Sequence, residues 1–198
     1  MRAFYFILLS IISIHSKSGN SGFFLTEDDF LNNRIHFASN YKIKENHGPI
    51  WDRIGYEADG QHLRLKQPDG NYITFKKGSV YGFIEDSVKY QFVKDDKEYL
   101  AVLFVSPSIS IFLKKHESFY YRSYSSHYIV VYSHNSETST QSFTNENIEK
   151  DFKDPVLRNE LLKLSSQIEQ SNLLHHITKI ERFFKLQHLI ESLLIPNH

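Results

Sequence analysis

The chain contains no cysteine. That absence excludes disulfides, zinc–thiolate centres and a cysteine nucleophile. It also excludes the acylated N-terminal cysteine of a lipid-anchored bacterial lipoprotein. A charge surplus is lacking too, since 23 basic residues balance 23 acidic ones. Nothing therefore draws the whole chain to nucleic acid, which needs a concentrated basic face. The familiar catalytic patterns are missing: no Gly-x-Ser-x-Gly elbow, no Gly-rich phosphate loop and no EF-hand loop.

Aromatic residues are what the sequence has in quantity. Sixteen Phe and twelve Tyr contribute to an aromatic share of 15%. Such a composition points to sheet surfaces and a packed core, not to a disordered chain. At 198 residues the length suits one domain with a helical appendage. A body of that size buries a core without disulfides or a structural metal.

Residues 1–18 read as a secretory signal peptide. Arg2 supplies the positive start, residues 3–14 are apolar apart from Tyr5, Ser10 and Ser13, and a small, polar stretch follows. Ser16 and Ser18 occupy the −3 and −1 positions for a cut before Gly19. Removing Arg2 and Lys17 leaves 21 basic residues against 23 acidic, a net charge of −2. The apolar run is shorter than the roughly 20 residues that span a bilayer. A buried N-terminal strand is the alternative reading, and no other stretch is long enough to cross a membrane.

Residues 19–143 are expected to form a β-rich body opened by a short helix. Thr26 can cap that helix, and Asp29 can return the bond. Alternation in His62-Leu63-Arg64-Leu65-Lys66, the turn Pro68-Asp69-Gly70 and the return Tyr72-Ile73-Thr74-Phe75 predict a hairpin. Further strands are read at 79–84, 88–93, 98–105, 109–113, 120–124 and 127–132. Gly82, inside one of them, suggests a bulge or a close backbone approach. Strands this close together leave no room for crossover helices, so the sheet should be antiparallel. The expected class is α+β: an antiparallel meander, as a curved sheet or a partly open barrel, with two to three C-terminal helices.

Those helices fall in residues 144–198. Phe143, Thr144 and Ile148 have the spacing of a hydrophobic staple around an N-cap. Asp154-Pro155 begins a second helix, with Asp as cap and Pro at the first position. Leu157, Leu161, Leu164 and Ile168 then form one apolar stripe, and Leu173, Ile177, Ile180 and Phe184 continue its period. Leu186, Leu189, Ile190 and Leu193 give the last helix a broad apolar face. That face must pack on this chain or mediate self-association.

Chemistry-bearing residues are present but not in catalytic spacing. His116-Glu117-Ser118-Phe119-Tyr120 opens like a zinc protease motif, yet Tyr120 stands where the second histidine is required. The eleven histidines are scattered and read as solvated or hydrogen-bonded, with no metal site and no cofactor expected. Asp28-Asp29 and Asp95-Asp96 are explained by a helix start and a turn. The most suggestive surface is the Tyr-rich segment containing Tyr124, His127 and Tyr128, which with Trp51 forms the candidate ligand-binding set. Its competing reading is a strand covered on both faces, because alternate residues are apolar on each side.

Four stretches carry a resemblance. They are 24–33 (Phe24 to Asn33), 71–83 (Asn71 to Phe83), and Tyr90-Gln91-Phe92 with Lys97-Glu98-Tyr99-Leu100. Over most of residues 23–194 the chain resembles a family of small, uncharacterised exported proteins of Bacteroidetes-type bacteria. Gln91 departs from that pattern, in which a basic residue is expected. The resemblance implies export and no particular activity. The functional expectation is an exported envelope protein without catalysis, binding an envelope protein or a small ligand and not nucleic acid. A periplasmic hydrolase acting on peptide or glycan is the alternative.

Overall fold

A computed structural model describes residues 21–39, 62–67, 69–120, 123–134, 139–171, 173–176 and 180–195. The proposed signal peptide and Trp51 lie outside them. Strand β1 (Ser21–Phe24) leads into α1 (Glu27–Leu31), whose capping box is formed by Thr26 and Asp29 as the sequence predicts. Strands β2 (His36–Ser39), β3 (His62–Lys66), β4 (Tyr72–Lys76), β5 (Gly82–Glu85) and β6 (Val88–Val93) follow, then β7 (Glu98–Val105), β8 (Ser110–Tyr120), β9 (Ser123–Ser133) and β10 (Gln141–Ser142). Helices α2 (Asn145–Asp151), α3 (Pro155–Gln170) and α4 (Ile180–Leu194) complete the chain, with a 3-10 turn at Leu173–His176 between the last two.

The architecture is α+β. Eight antiparallel strands form one sheet in the order β10-β9-β8-β7-β6-β5-β1-β2, which does not close into a barrel. From β5 to β10 the sheet is a meander, and β1 inserts beside β5 with β2 outside it. The predicted hairpin stands apart as a two-stranded sheet of β3 and β4. It docks through Leu63 and Leu65, which are buried, and through Phe75, whose ring meets Phe23 edge-on at 4.9 Å.

Both faces of the large sheet are apolar, as alternation in its strands requires. On one face Phe83, Tyr90, Ala101, Ile111, Leu113, Val130 and Tyr132 pack with Ile148, Leu161, Leu164, Phe183, Leu186 and Ile190 of the helices. Opposite lie Phe24, Val93, Leu100, Val102, Phe112 and Val131, joined by Phe30 of α1. A bulge in β7 sets Val102 against Phe112 and Phe104 against Ile111. Leu103, the extra residue, and Phe104 then both join the helix-side core. The helix starts follow the sequence: Thr144 caps α2 between buried Phe143 and Ile148, and Asp154 caps α3 with Pro155 at its first position.

Two expectations are corrected. Residues 120–124 are not a separate strand, because β8 and β9 are each 11 residues long and pair from Ser110↔Ser133 to Tyr120↔Ser123. The strand read at 79–84 begins only at Gly82, following the turn residues 77–81. The expected C-terminal helices are α2, α3 and α4, and the 3-10 turn Leu173–His176 falls between the last two.

Gly82 makes the close approach expected of it: a Cβ there would sit 2.2 Å from the Tyr90 carbonyl oxygen. The turn between β5 and β6 has an unrelieved cost. Asp86 and Ser87 both have positive φ, 47° and 67°, as a two-residue hairpin of the primed type demands. Ser87→Gly should therefore stabilise the fold by about 0.5–1 kcal/mol, raising Tm by up to about 4 °C. Calorimetry would show this, and an unchanged or lower Tm would contradict the turn assignment.

Candidate functional site

Four polar groupings lie among the described residues, and each is tied to a particular element junction. At the start of α1, Asp29 Oδ2 accepts from the Thr26 backbone N–H at 3.1 Å and Oδ1 accepts from Arg34 Nε at 3.1 Å. His36 Nε2 lies 3.1 Å from Oδ2. Asp28 pairs with Arg34 and accepts from Asn32. Hydrogen bonding from Thr26 is the largest influence on Asp29. With Arg34 and His36 it overcomes burial and lowers the carboxyl pKa to about 2. This is a clasp between α1 and β2, with its carboxylates spent on local partners.

Beneath α1, Lys89 reaches the opposite face of the sheet. Its ammonium donates to the Phe30 carbonyl at 3.2 Å and lies 5.0 and 5.4 Å from the Phe30 and Phe24 ring centroids. Burial lowers its pKa. A desolvated lysine can serve as a nucleophile, but this one is held by a helix-end carbonyl and two ring faces. Beside it, Gln91 donates from Nε2 to Tyr81 Oη at 2.9 Å. A neutral amide is cheaper to bury at this position on β6 than a charged side chain.

Asp96, in the turn between β6 and β7, gathers a third grouping. It accepts from Lys114 Nζ at 2.9 Å and from Thr140 Oγ1 at 2.6 Å, tying that turn to β8 and to the approach to β10. Burial opposes its charge, yet the bonds from Thr140 and Lys114 keep its pKa below the ordinary value. In the fourth, fully buried Tyr132 donates to Asp151 Oδ2 at 2.7 Å, joining β9 to the end of α2. Burial first, and the Asp151 carboxylate second, push its phenol upward. His134 stacks at 4.9 Å on Phe152 beside this pair but is exposed.

None of these groupings sets a nucleophile against a base, and among the described residues no three His, Asp or Glu side chains gather as a metal cluster. The carboxylate pairs Asp28-Asp29 and Asp95-Asp96 sit where the sequence places them, at a helix start and a turn.

The Tyr-rich segment is divided by its own strand period. Tyr128 is buried in the helix-side core, whereas His127 is exposed on the opposite face, so the two do not share one platform. Tyr124 lies opposite Phe119 in the β8–β9 ladder. At its sheet end β9 is covered on both sides, with Val130 and Tyr132 in one core and Val131 in the other. The last helix meets the same fate on one stripe: Leu186 and Ile190 are fully buried, with Leu189 and Leu193 partly so against the same core.

What sequence reasoning missed is an arm. β7 pairs with β8 only as far as Leu113, and β10 pairs with β9 at Tyr132 and Val131, followed by one bond from the Phe143 N–H to the Val130 carbonyl. Among the described strands, Lys114–Tyr120 thus pairs with Ser123–Ile129 alone. That is a two-stranded ribbon roughly 23 Å long at about 3.3 Å per residue. Its base is anchored by Tyr128. The signal lay in the low hydrophobicity of residues 114–118 and 123–127 within long β-prone stretches.

No family model, curated protein or solved structure matches the chain. Among the described residues no helix is long and apolar enough to cross a membrane.

Two outcomes test these assignments. Asp29 has a folded pKa near 2, below its ordinary 3.8. Its stabilisation should therefore be complete above pH 4 and disappear as pH falls through 2. Asp29→Asn should flatten the loss of stability across that window in acid unfolding followed by circular dichroism; an unaltered curve would rule the clasp out. Tyr132→Phe should cost about 2 kcal/mol in urea unfolding, the worth of a hydrogen bond to a charged group. A cost near zero would mean that Asp151 does not hold Tyr132.

Proposed function

We propose that the chain is an exported, non-enzymatic binding module of the cell envelope, and that the β8–β9 arm is its recognition element. The observation that carries this reading is the register. Seven residue pairs of β8 and β9, from Lys114↔Ile129 to Tyr120↔Ser123, continue beyond the last pairing of either strand with another described strand. A ribbon of this length presents side-chain positions of alternating face to an extended peptide.

The arm's sequence supports the same use. Phe119, Tyr120 and Tyr124 near its tip alternate with Ser118, Ser123, Ser125 and Ser126. Aromatic and hydroxyl residues together are typical of adaptable binding surfaces. The partner class is an extended segment of another envelope protein. Residues 1–18 supply the route of export, and the likeness of residues 23–194 to small exported bacterial proteins agrees with it. The four polar groupings favour binding over hydrolysis, since each has a role at an element junction.

The mature chain, residues 19–198, should bind members of an envelope-peptide array. Phe119→Ser/Tyr124→Ser should lose that binding at unchanged Tm. Release of peptide or sugar fragments by the wild type, or binding indifferent to the double substitution, would defeat the proposal. N-terminal sequencing of the fractionated protein should begin at Gly19, and a cytoplasmic chain retaining residues 1–18 would defeat its envelope part.

A further inference from the structure

We propose that Asp96 is the positioning residue of the β8–β9 ribbon: it fixes the direction in which both strands leave the sheet, so that a partner meets a ribbon already set. The inference rests on the reading of that ribbon as the recognition element.

The need for an anchor follows from the pairing. β7 accompanies β8 as far as Leu113, and β10 with the Phe143 N–H accompanies β9 as far as Val130. Leu113 and Val130 are partners in the β8–β9 ladder. Both strands thus part from their described neighbours at the same step, and Lys114↔Ile129 is the first pair beyond it. A two-stranded hairpin is marginal in water by itself. Ribbons of two strands also twist more than wide sheets. A ribbon that swung from its base would have to be ordered again at each binding event.

Asp96 acts at that step. Lys114, the first ribbon residue of β8, places Nζ 2.9 Å from Asp96 Oδ2. The same carboxylate accepts from Thr140 Oγ1 at 2.6 Å and from the Thr140 N–H at 3.3 Å. Thr140 directly precedes β10, whose Gln141 pairs with Tyr132 of β9. One side chain therefore reaches β8 directly and β9 through its outer neighbour.

The turn that carries Asp96 closes without it. The Lys97 N–H donates to the Lys94 carbonyl at 3.2 Å, and Val93↔Glu98 begins the ladder behind the turn. The bonds to Asp96 come instead from β8 and from the approach to β10. Side-chain exposure is 10% for Asp96 and 28% for Lys114, so the pair is sheltered from the screening that weakens surface pairs. Glu98, 3.9 Å from Nζ and half-exposed, is a weaker second partner. Charge-assisted hydrogen bonds are directional, so the contact sets an angle as well as a distance.

Amide hydrogen exchange of the purified chain, followed residue by residue by NMR, tests the brace. Asp96→Asn, Lys114→Met and Thr140→Val should each speed exchange of the ribbon amides in 115–120 and 123–129 by about tenfold, the equivalent of one hydrogen bond to a charged group. Amides of β5 and β6 should keep their wild-type rates. Lys114→Arg and Thr140→Ser retain the donors and should retain wild-type exchange, as should Asp29→Asn, which opens only the α1 clasp. On the envelope-peptide array the loosened variants should lose affinity through a slower on-rate, because less of the ribbon population is ready to bind. Unchanged ribbon exchange in Asp96→Asn, or acceleration spread equally over β5 and β6, would overturn the brace. Full peptide affinity in a variant whose ribbon has loosened would overturn the positioning role. A wild type that binds no peptide would instead overturn the recognition reading, with the exchange result still deciding the brace.

Discussion

The structure depends on covering a sheet that is apolar on both faces. Strands β5 to β9 place one alternate set of residues toward Leu161, Leu164, Leu186 and Ile190 and the other, including Leu100, Val102, Phe112 and Val131, into the core that Phe30 of α1 joins. An antiparallel sheet can leave one face to water, and this one does not. The C-terminal helices follow from that constraint. Their stripe is the counterpart of Ala101, Leu103, Ile111 and Tyr132, and helices of such modest length draw most of their stability from packing.

Polar residues answer a different need, which is to fix where elements meet. Asp29 ties α1 to β2, Lys89 ties β6 to the end of α1, Asp96 ties a turn to the approach to β10, and Tyr132 ties β9 to α2. Apolar packing is tolerant of sliding, and directional bonds are not. The perturbed pKa values therefore mark joints of the framework. Perturbation alone is a weak guide to catalysis when each group already has a structural partner.

Once the joints are accounted for, the β8–β9 ribbon stands out because its own pairing continues after pairing with the flanking described strands has ended. A core-forming strand gains by ending with its neighbours, and β8 continues for seven residues after β7 has stopped pairing. The proposed binding reading draws on the extent of this one feature.

Local pattern was enough for the sequence to determine the capping of α1, α2 and α3, the β3–β4 hairpin, the close approach at Gly82, the antiparallel class and the apolar helical stripes. Each depends on residues within a few positions of one another, where backbone preference and side-chain period act directly. Tertiary structure alone decided that β1 inserts beside β5, that β3 and β4 leave the main sheet, and that β8 and β9 outrun their neighbours. It also decided that Tyr128 and His127 part to opposite environments. These outcomes rest on pairing between distant segments, and register across a ladder cannot be read from spacing along one strand, since a shift of a single residue exchanges every side chain between faces.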